Sequence, residues 1–248
     1  MQPATVHAAH ALFAQLGHVA LPLIAALTYD TPLDIRMVPG AAALICVPPT
    51  VSRQPASIWV AAADHEALLA LLGQGGWPPA RWYVCQPEQR ALLESCLGCA
   101  HGPGRDELLF VAHGGSALPH PLVRPLALAD VQQVQLDPCG LSPTALRHWI
   151  WRGWRFFGAV ESGRLLCHAL AAYPLAQSDE IAAVFTAPEA RGRGLATAVV
   201  AAIRADIHGR GRFARYLVRR NNHASVRIAN RLGMQLVATI SEISPSIV

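Results

Sequence analysis

The passage over residues 180–209 constrains this chain more than any other. Residues 180–186 form a short apolar run suited to a strand, and Pro188 ends it. Arg191-Gly192-Arg193-Gly194 then leads into an amphipathic segment over 195–208, closed by Gly209. A glycine-rich turn that feeds a helix presents unpaired backbone N–H groups at the positive end of the helix dipole, where anions are stabilised. Glycine at 192 and 194 lets a bulky anion reach the backbone without a Cβ in the way. No G-K-S or G-K-T follows and the spacing is not G-x-G-x-x-G, so neither a Walker loop nor the dinucleotide fingerprint is present.

The flanking sequence alternates between the two periods. After the turn, 214–219 reads as a strand, 224–232 as a helix ended by Gly233, and 236–243 as a last strand. Before it, 122–126 reads as a strand and 127–134 as a helix. Ser142-Pro143 opens a helix reaching about Trp151, and strands at 156–161 and 165–173 flank a hairpin turn at Ser162-Gly163-Arg164. The first half repeats the rhythm: strands at 41–47, 57–62, 81–85 and 108–112, with helices at 65–72 and 87–97. Residues 1–28 look helical, interrupted by Gly17 and Pro22. The alternation implies sheets with helices packed on them. The Gly- and Pro-rich stretch 113–121 separates the halves, which gives an α/β domain over 1–112, a linker over 113–121 and a second domain over 122–248.

Composition narrows the partners. The chain has 248 residues, is 52% hydrophobic and 15% charged, and can bury an ample core. No apolar run reaches membrane length, and no basic residue precedes the run at 17–28, so neither a span nor a secretory signal is expected. Six Cys without a framework spacing fit a reducing compartment, and the cytoplasm is the expected location. All 20 basic residues are Arg. Residues 1–120 hold five Arg against eight acids, whereas 121–248 hold fifteen against eight. Ten of these Arg lie in 191–231, where Asp206 is the only acid, a density that points to an anionic partner. That partner is either a phosphorylated cofactor or nucleic acid, a solvated helix face is the plainer reading, and charge alone does not decide among them, although the cluster carries no RNA- or DNA-binding motif.

The order strand, P-x-x-R-G-x-G-x-A, helix, strand, N-x-x-S-x-x-I-x-x-x-x-G resembles the GCN5-related N-acetyltransferase superfamily. Arg191, Gly194 and Ala196 meet its R/Q-x-x-G-x-G/A pattern; Asn222, Ser225, Ile228 and Gly233 meet the second block. The resemblance covers about 121–248 and implies a mixed α/β fold with a central twisted sheet. Residues 1–112 lack the R-x-x-G-x-G turn. Tandem members of the superfamily suggest that they are a degenerate second copy walling the acceptor cleft.

The resemblance also implies roles. Backbone amides of Arg191, Gly192, Arg193, Gly194, Leu195 and Ala196 would bind the pyrophosphate of acetyl-coenzyme A, with Thr197 capping the same helix end. The pantetheine arm would lie along Val184, Phe185 and Thr186, and the N–H of Phe185 or Val184 would polarise the thioester carbonyl. Asn222 would stand near the pantetheine or the attacking amine, and Ser225 joins the cofactor-binding set. Glu180, eleven residues before Arg191, matches the general base of histone-type members. The implied reaction is direct attack by a primary amine of a small molecule or peptide on acetyl-coenzyme A in a ternary complex, with no metal.

One departure stands out. Many members carry a Tyr seven residues after the motif Asn, where it protonates the departing thiolate. Ala229 occupies that position, and Tyr216 and Tyr173 are the remaining tyrosines of this half. Proton donation then falls to water or another side chain, or the protein is a coenzyme A-binding module without turnover. Other features read as structural: Cys96, Cys99 and His101 form only half a zinc spacing, and His113-Gly114-Gly115 lacks a G-x-S-x-G nucleophile. Trp149, Trp151, Trp154, Phe156 and Phe157, interleaved with Arg152 and Arg155, read as core or as an acceptor wall.

Overall fold

A computed structural model describes residues 3–17, 21, 22, 24, 34–46, 56–78, 80–84, 86–101, 106–136, 139 and 142–245. In chain order the elements are α1 (Pro3–Gln15), β1 (Asp34–Val38), β2 (Ala41–Cys46), β3 (Ala56–Ala62), α2 (His65–Leu72), β4 (Ala80–Val84), α3 (Arg90–Leu97), β5 (Cys99–His101) and β6 (Glu107–Ala112). There follow β7 (Val123–Leu126), α4 (Asp130–Gln133), α5 (Pro143–Trp151), β8 (Arg155–Glu161), β9 (Arg164–Ala172), β10 (Ser178–Thr186), α6 (Leu195–Gly209), β11 (Phe213–Arg219), α7 (His223–Arg231) and β12 (Gln235–Pro245). The chain divides into two compact units: one holds residues 1–109, 219–221 and 237–248, and the other holds 110–218 and 222–236.

In the first unit β1, β2 and β3 pair antiparallel, and β4 returns parallel to β3 after the crossover helix α2. The end of β12 then pairs antiparallel with β4. All six residues of β2, Ala-Ala-Ala-Leu-Ile-Cys, are buried, as expected of a strand covered on both faces. Ala67, Leu68, Leu71 and Leu72 make the buried stripe of α2 and meet Ile58, Val60 and Trp82 in one apolar core. Asp64 caps this helix, its carboxylate accepting the Ala67 N–H at 2.8 Å.

The second unit repeats that order of connections. Strands β7, β8, β9 and β10 pair antiparallel, and β11 returns parallel to β10 after α6. Ser162 and Gly163, both at positive φ, make the tight turn of the β8–β9 hairpin. Leu195, Ala198, Val199, Ile203 and Ile207 bury one side of α6 against β9 and β10. The stretch read as a linker is fixed in part by Arg204 of α6, which donates to the carbonyls of Ser116 and Leu232. Gly115 stands at φ 135°, where other residues are strained, and a Cβ there would fall 2.2 Å from that guanidinium carbon.

The strand β1 was not visible in the sequence because Asp34–Val38 is short and only half-buried. The helix expected over 127–134 is a single turn. Asp130 accepts the Ala127 N–H and pairs with Arg124 at 2.6 Å, so its side chain holds the chain in a turn before the helix. Gly17 and Pro22 do follow the end of α1, and the rest of the first 28 residues lies largely outside the described set. No helix among the described residues is long and apolar enough to cross a membrane.

Candidate functional site

The site begins with a failure to pair. Strands β10 and β11 share only Ser178↔Phe213, Asp179↔Ala214 and Glu180↔Arg215, and then separate. Beyond that point the register of β10 against β9 shifts between Ala182 and Phe185, with Ala183 at φ 50°. A non-glycine residue at positive φ in a strand marks a bulge that re-aims its neighbours. The segment from Ala182 to Thr186 is correspondingly half-buried or exposed, and it presents backbone groups toward the gap left by β11.

After Pro188 the chain turns through Gly192 and Gly194, at φ 79° and 78°, into α6. Gly194 is the N-cap and no side chain caps this helix. The cap expected from Thr197 is therefore absent: Thr197 lies inside the first turn and its hydroxyl does not reach back. The amides of the first turn stay open at the positive end of a 15-residue helix. On the facing wall Asn222 caps α7, its carbonyl oxygen accepting the Ser225 N–H at 3.2 Å.

Turn, bulged strand and α7 enclose a cavity of about 730 Å³. It is lined by Val184, Phe185, Thr186, Arg191, Gly192, Gly194, Leu195, Ala196, Thr197, Asn222 and Ser225, all named from the sequence. Ala190, Ala224, Arg227, Ile228 and Arg231 complete the lining. Only Ile228 among these carried a motif signal. The two Arg could have been found by noting their four-residue spacing on the helix that follows Asn222.

The comparisons agree with this geometry. Residues 158–241 match the family model described as FR47-like protein. A GCN5-related N-acetyltransferase from Kribbella flavida is similar in structure with a TM-score of 0.62 and 15% identity, over 92% of this chain and 94% of that one. A GCN5-related N-acetyltransferase-like protein from Streptococcus suis gives a TM-score of 0.54 and 17% identity, over 97% and 98%. A tandem GNAT protein from the clavulanic acid biosynthesis pathway gives 0.52 and 12%, over 82% and 78%. No curated protein matches the sequence. The second unit has the fold of the GCN5-related N-acetyltransferases, and the FR47-like match lies within it.

Within this acetyltransferase fold the structure separates two further sequence-named residues from the cavity. Arg193 forms a bidentate pair with Glu161, at 2.8 and 3.0 Å, on the exposed side of the turn. Glu180 stands where β10 and β11 part, its carboxylate 3.2 Å from Nε of Arg215. That guanidinium is fully buried and also donates to Ser178 Oγ and the Tyr173 carbonyl. Ala229, at the position where many acetyltransferases of this superfamily carry Tyr, is fully buried in α7. Tyr216 of β11 is buried, and burial raises its pKa. Its hydroxyl sits beside Ser225 but meets no partner at hydrogen-bonding geometry among the described residues.

Three other groups surround the bulge. His168 pairs across the strands with Phe185, and its ring stacks between Phe156 and Phe185. Burial lowers its pKa to about 4, so it is neutral at pH 7. Cys167 accepts from the Thr186 hydroxyl, and burial pushes its thiol up to about 11; Cys139, donating to the Leu165 carbonyl, is pushed to about 12. Both remain thiols, unsuited to nucleophilic work. Of the aromatic cluster, Trp154, Phe156 and Phe157 are core, whereas Trp151 is 83% exposed. The side chains of Cys99 and His101 lie outside the described residues.

The ten arginines of 191–231 also sort by position. Arg193 pairs with Glu161, Arg210 and Arg212 with Asp179, Arg215 with Glu180, Arg219 with Glu107, and Arg220 with Asp106. Arg204 is held by main-chain carbonyls. Arg191, Arg227 and Arg231 are left without a carboxylate among the described residues, and all three line the cavity. The basic cluster is thus mostly internal structure, and its uncommitted charge converges on one place.

Proposed function

We propose that this protein is an acetyl-coenzyme A-dependent N-acetyltransferase acting on a primary amine, by direct attack in a ternary complex. The observation that carries the reading is the uncapped N-terminus of α6 opening onto the same cavity as the unpaired half of β10. Acetyl-coenzyme A fits that combination chemically. Its diphosphate suits the amides of 191–197, and its pantetheine amides suit the free backbone groups of Val184, Phe185 and Thr186, much as an added strand would. When bound, it supplies an activated acyl thioester.

The chain's own groups divide the remaining work. A main-chain N–H of Phe185 or Val184, turned by the bulge at Ala183, is the donor for negative charge developing on the acyl oxygen. Asn222, with its carbonyl oxygen committed to the cap, keeps its amide N–H groups for the ligand. Glu180 is assigned the amine's proton, with Arg215 fixing its orientation. A carboxylate already engaged by a guanidinium gives a modest base, so the rate should climb with pH as the amine itself loses its proton. If Glu180→Gln leaves both the rate and its pH profile unchanged, the assignment is wrong.

Unit 1 is, on this reading, a second copy of the same fold without an anion-binding turn; the shared order of connections supports it. The buried methyl of Ala229 favours one other reading, a coenzyme A-binding module without turnover. Release of free thiol from acetyl-coenzyme A, measured across a panel of amines, separates the two. Any amine-dependent release supports the enzyme, whereas tight binding with none across the panel supports the module.

A further inference from the structure

On β9, Ala172 pairs with Glu180, and the next residue, Tyr173, stands at φ 46°, a conformation that bulky side chains avoid. Two contacts hold it there. Its carbonyl accepts from the buried guanidinium of Arg215 at 2.6 Å, and its ring centre lies 4.6 Å from that of Trp154. Trp154 in turn stacks 6.5 Å from Trp149 of α5 and carries the Arg152 guanidinium 5.6 Å over its ring. A chain of contacts thus runs from Glu180 through Arg215, Tyr173 and Trp154 to Arg152, all within the second unit.

Two groups at the far end of this chain are unsatisfied. Trp154 is 7% exposed and its indole N–H meets no acceptor among the described residues, which costs a buried donor its hydration without return. Arg152 is exposed and meets no carboxylate among the described residues. By contrast, Arg124, Arg155, Arg164 and Arg193 of the same unit each hold one within 3.2 Å. An indole N–H and a guanidinium gathered on one side chain suit a carboxylate, which accepts from both and matches the guanidinium charge. The rings of Tyr173, Trp154 and Trp149 beside them suit an alkyl chain.

Resting on the proposed function, we infer that the acceptor is an amine bearing a remote carboxylate, which Arg152 and the Trp154 indole N–H receive while the amine faces Glu180. The rings of Tyr173 and Trp154 stand between Arg152 and the carbonyl that Arg215 holds. The two charged ends of the acceptor are therefore several bonds apart, as in an ω-amino acid. The carboxylate takes no part in the chemistry, and Arg152 sets specificity rather than rate.

The test is steady-state thiol release by the full chain from acetyl-coenzyme A, with ω-aminohexanoate and with its uncharged carboxamide as acceptors, at one pH and ionic strength. The wild type should favour the acid by roughly tenfold or more in kcat/KM. In Arg152→Gln that preference should collapse through a raised KM for the acid, with kcat for the acid kept, and Arg152→Lys should restore part of it. Trp154→Phe, which keeps a ring and loses the N–H, should cut the preference by a smaller factor. A wild type that takes both acceptors equally, or prefers the carboxamide, overturns the inference and leaves the proposed function standing. So does an Arg152→Gln variant that loses both acceptors alike. Turnover of neither acceptor also overturns it, while release with any other amine of the panel keeps the proposed function.

Discussion

Two strand–turn–helix passages in this chain follow the same path and end differently. In the first unit β3 enters α2 through Asp64, whose carboxylate accepts the Ala67 N–H of the first turn. In the second, β10 enters α6 through Gly192 and Gly194, and no side chain caps the helix. The neighbouring strands differ in the same sense. β3 and β4 pair at five successive positions, from Ala56↔Ala80 to Val60↔Val84, whereas β10 and β11 pair at three and then part. One passage satisfies its own backbone; the other leaves donors and an open strand edge for a partner to satisfy. The difference lies in a few residues, and on the proposed function it lets one topology serve as scaffold in one place and as a receptor in another.

The contrast can be broken in both units. Leu68 is fully buried in the first, so Leu68→Ala should cost about 2–5 kcal/mol in a denaturant melt, with acetyl-coenzyme A affinity per folded molecule unchanged. A loss of affinity in the folded fraction would give unit 1 a part in the site. A second effect comes from His168, whose folded pKa of about 4 lies below the ordinary 6.5. Above pH 6.5 it is neutral in both states. Below that the unfolded chain takes the proton first, so stability falls as pH drops from 6.5 to 4, by about 3 kcal/mol in all. Melts of wild type and His168→Phe across that range should diverge accordingly; parallel curves would refute the burial argument.

Gly194→Glu places a carboxylate at the α6 N-terminus, as Asp64 does in α2, and should weaken acetyl-coenzyme A roughly 100-fold by titration. Retained affinity would mean that the open amides are not the binding element. The smallest effect is the reciprocal one: Asp64→Ala should cost about 1 kcal/mol of stability and leave ligand affinity untouched.

Much of this was legible in the sequence, for reasons that differ by residue. The helices α2 and α5 begin and end at the expected residues because Asp64, Ser142-Pro143 and Gly73 are unambiguous signals. The α6 turn was legible because two glycines at positive φ leave few alternatives. What escaped was long-range. Nothing local to Arg193 says that Glu161 will claim it, or local to Glu180 that a buried Arg215 will. The return of the chain's last strand to pair with β4 in the first unit is likewise a tertiary event. That Arg227 and Arg231 line the cavity without a carboxylate beside them is seen only once most of the cluster is found paired with acids distant in sequence.

Amide hydrogen exchange with and without acetyl-coenzyme A tests the contrast between the two passages most directly. Protection should rise over 184–197 and 222–231 and stay unchanged over 60–72. Protection appearing at the Asp64 passage, or none at the α6 turn at saturating ligand, would contradict the assignment of the binding site to the second unit.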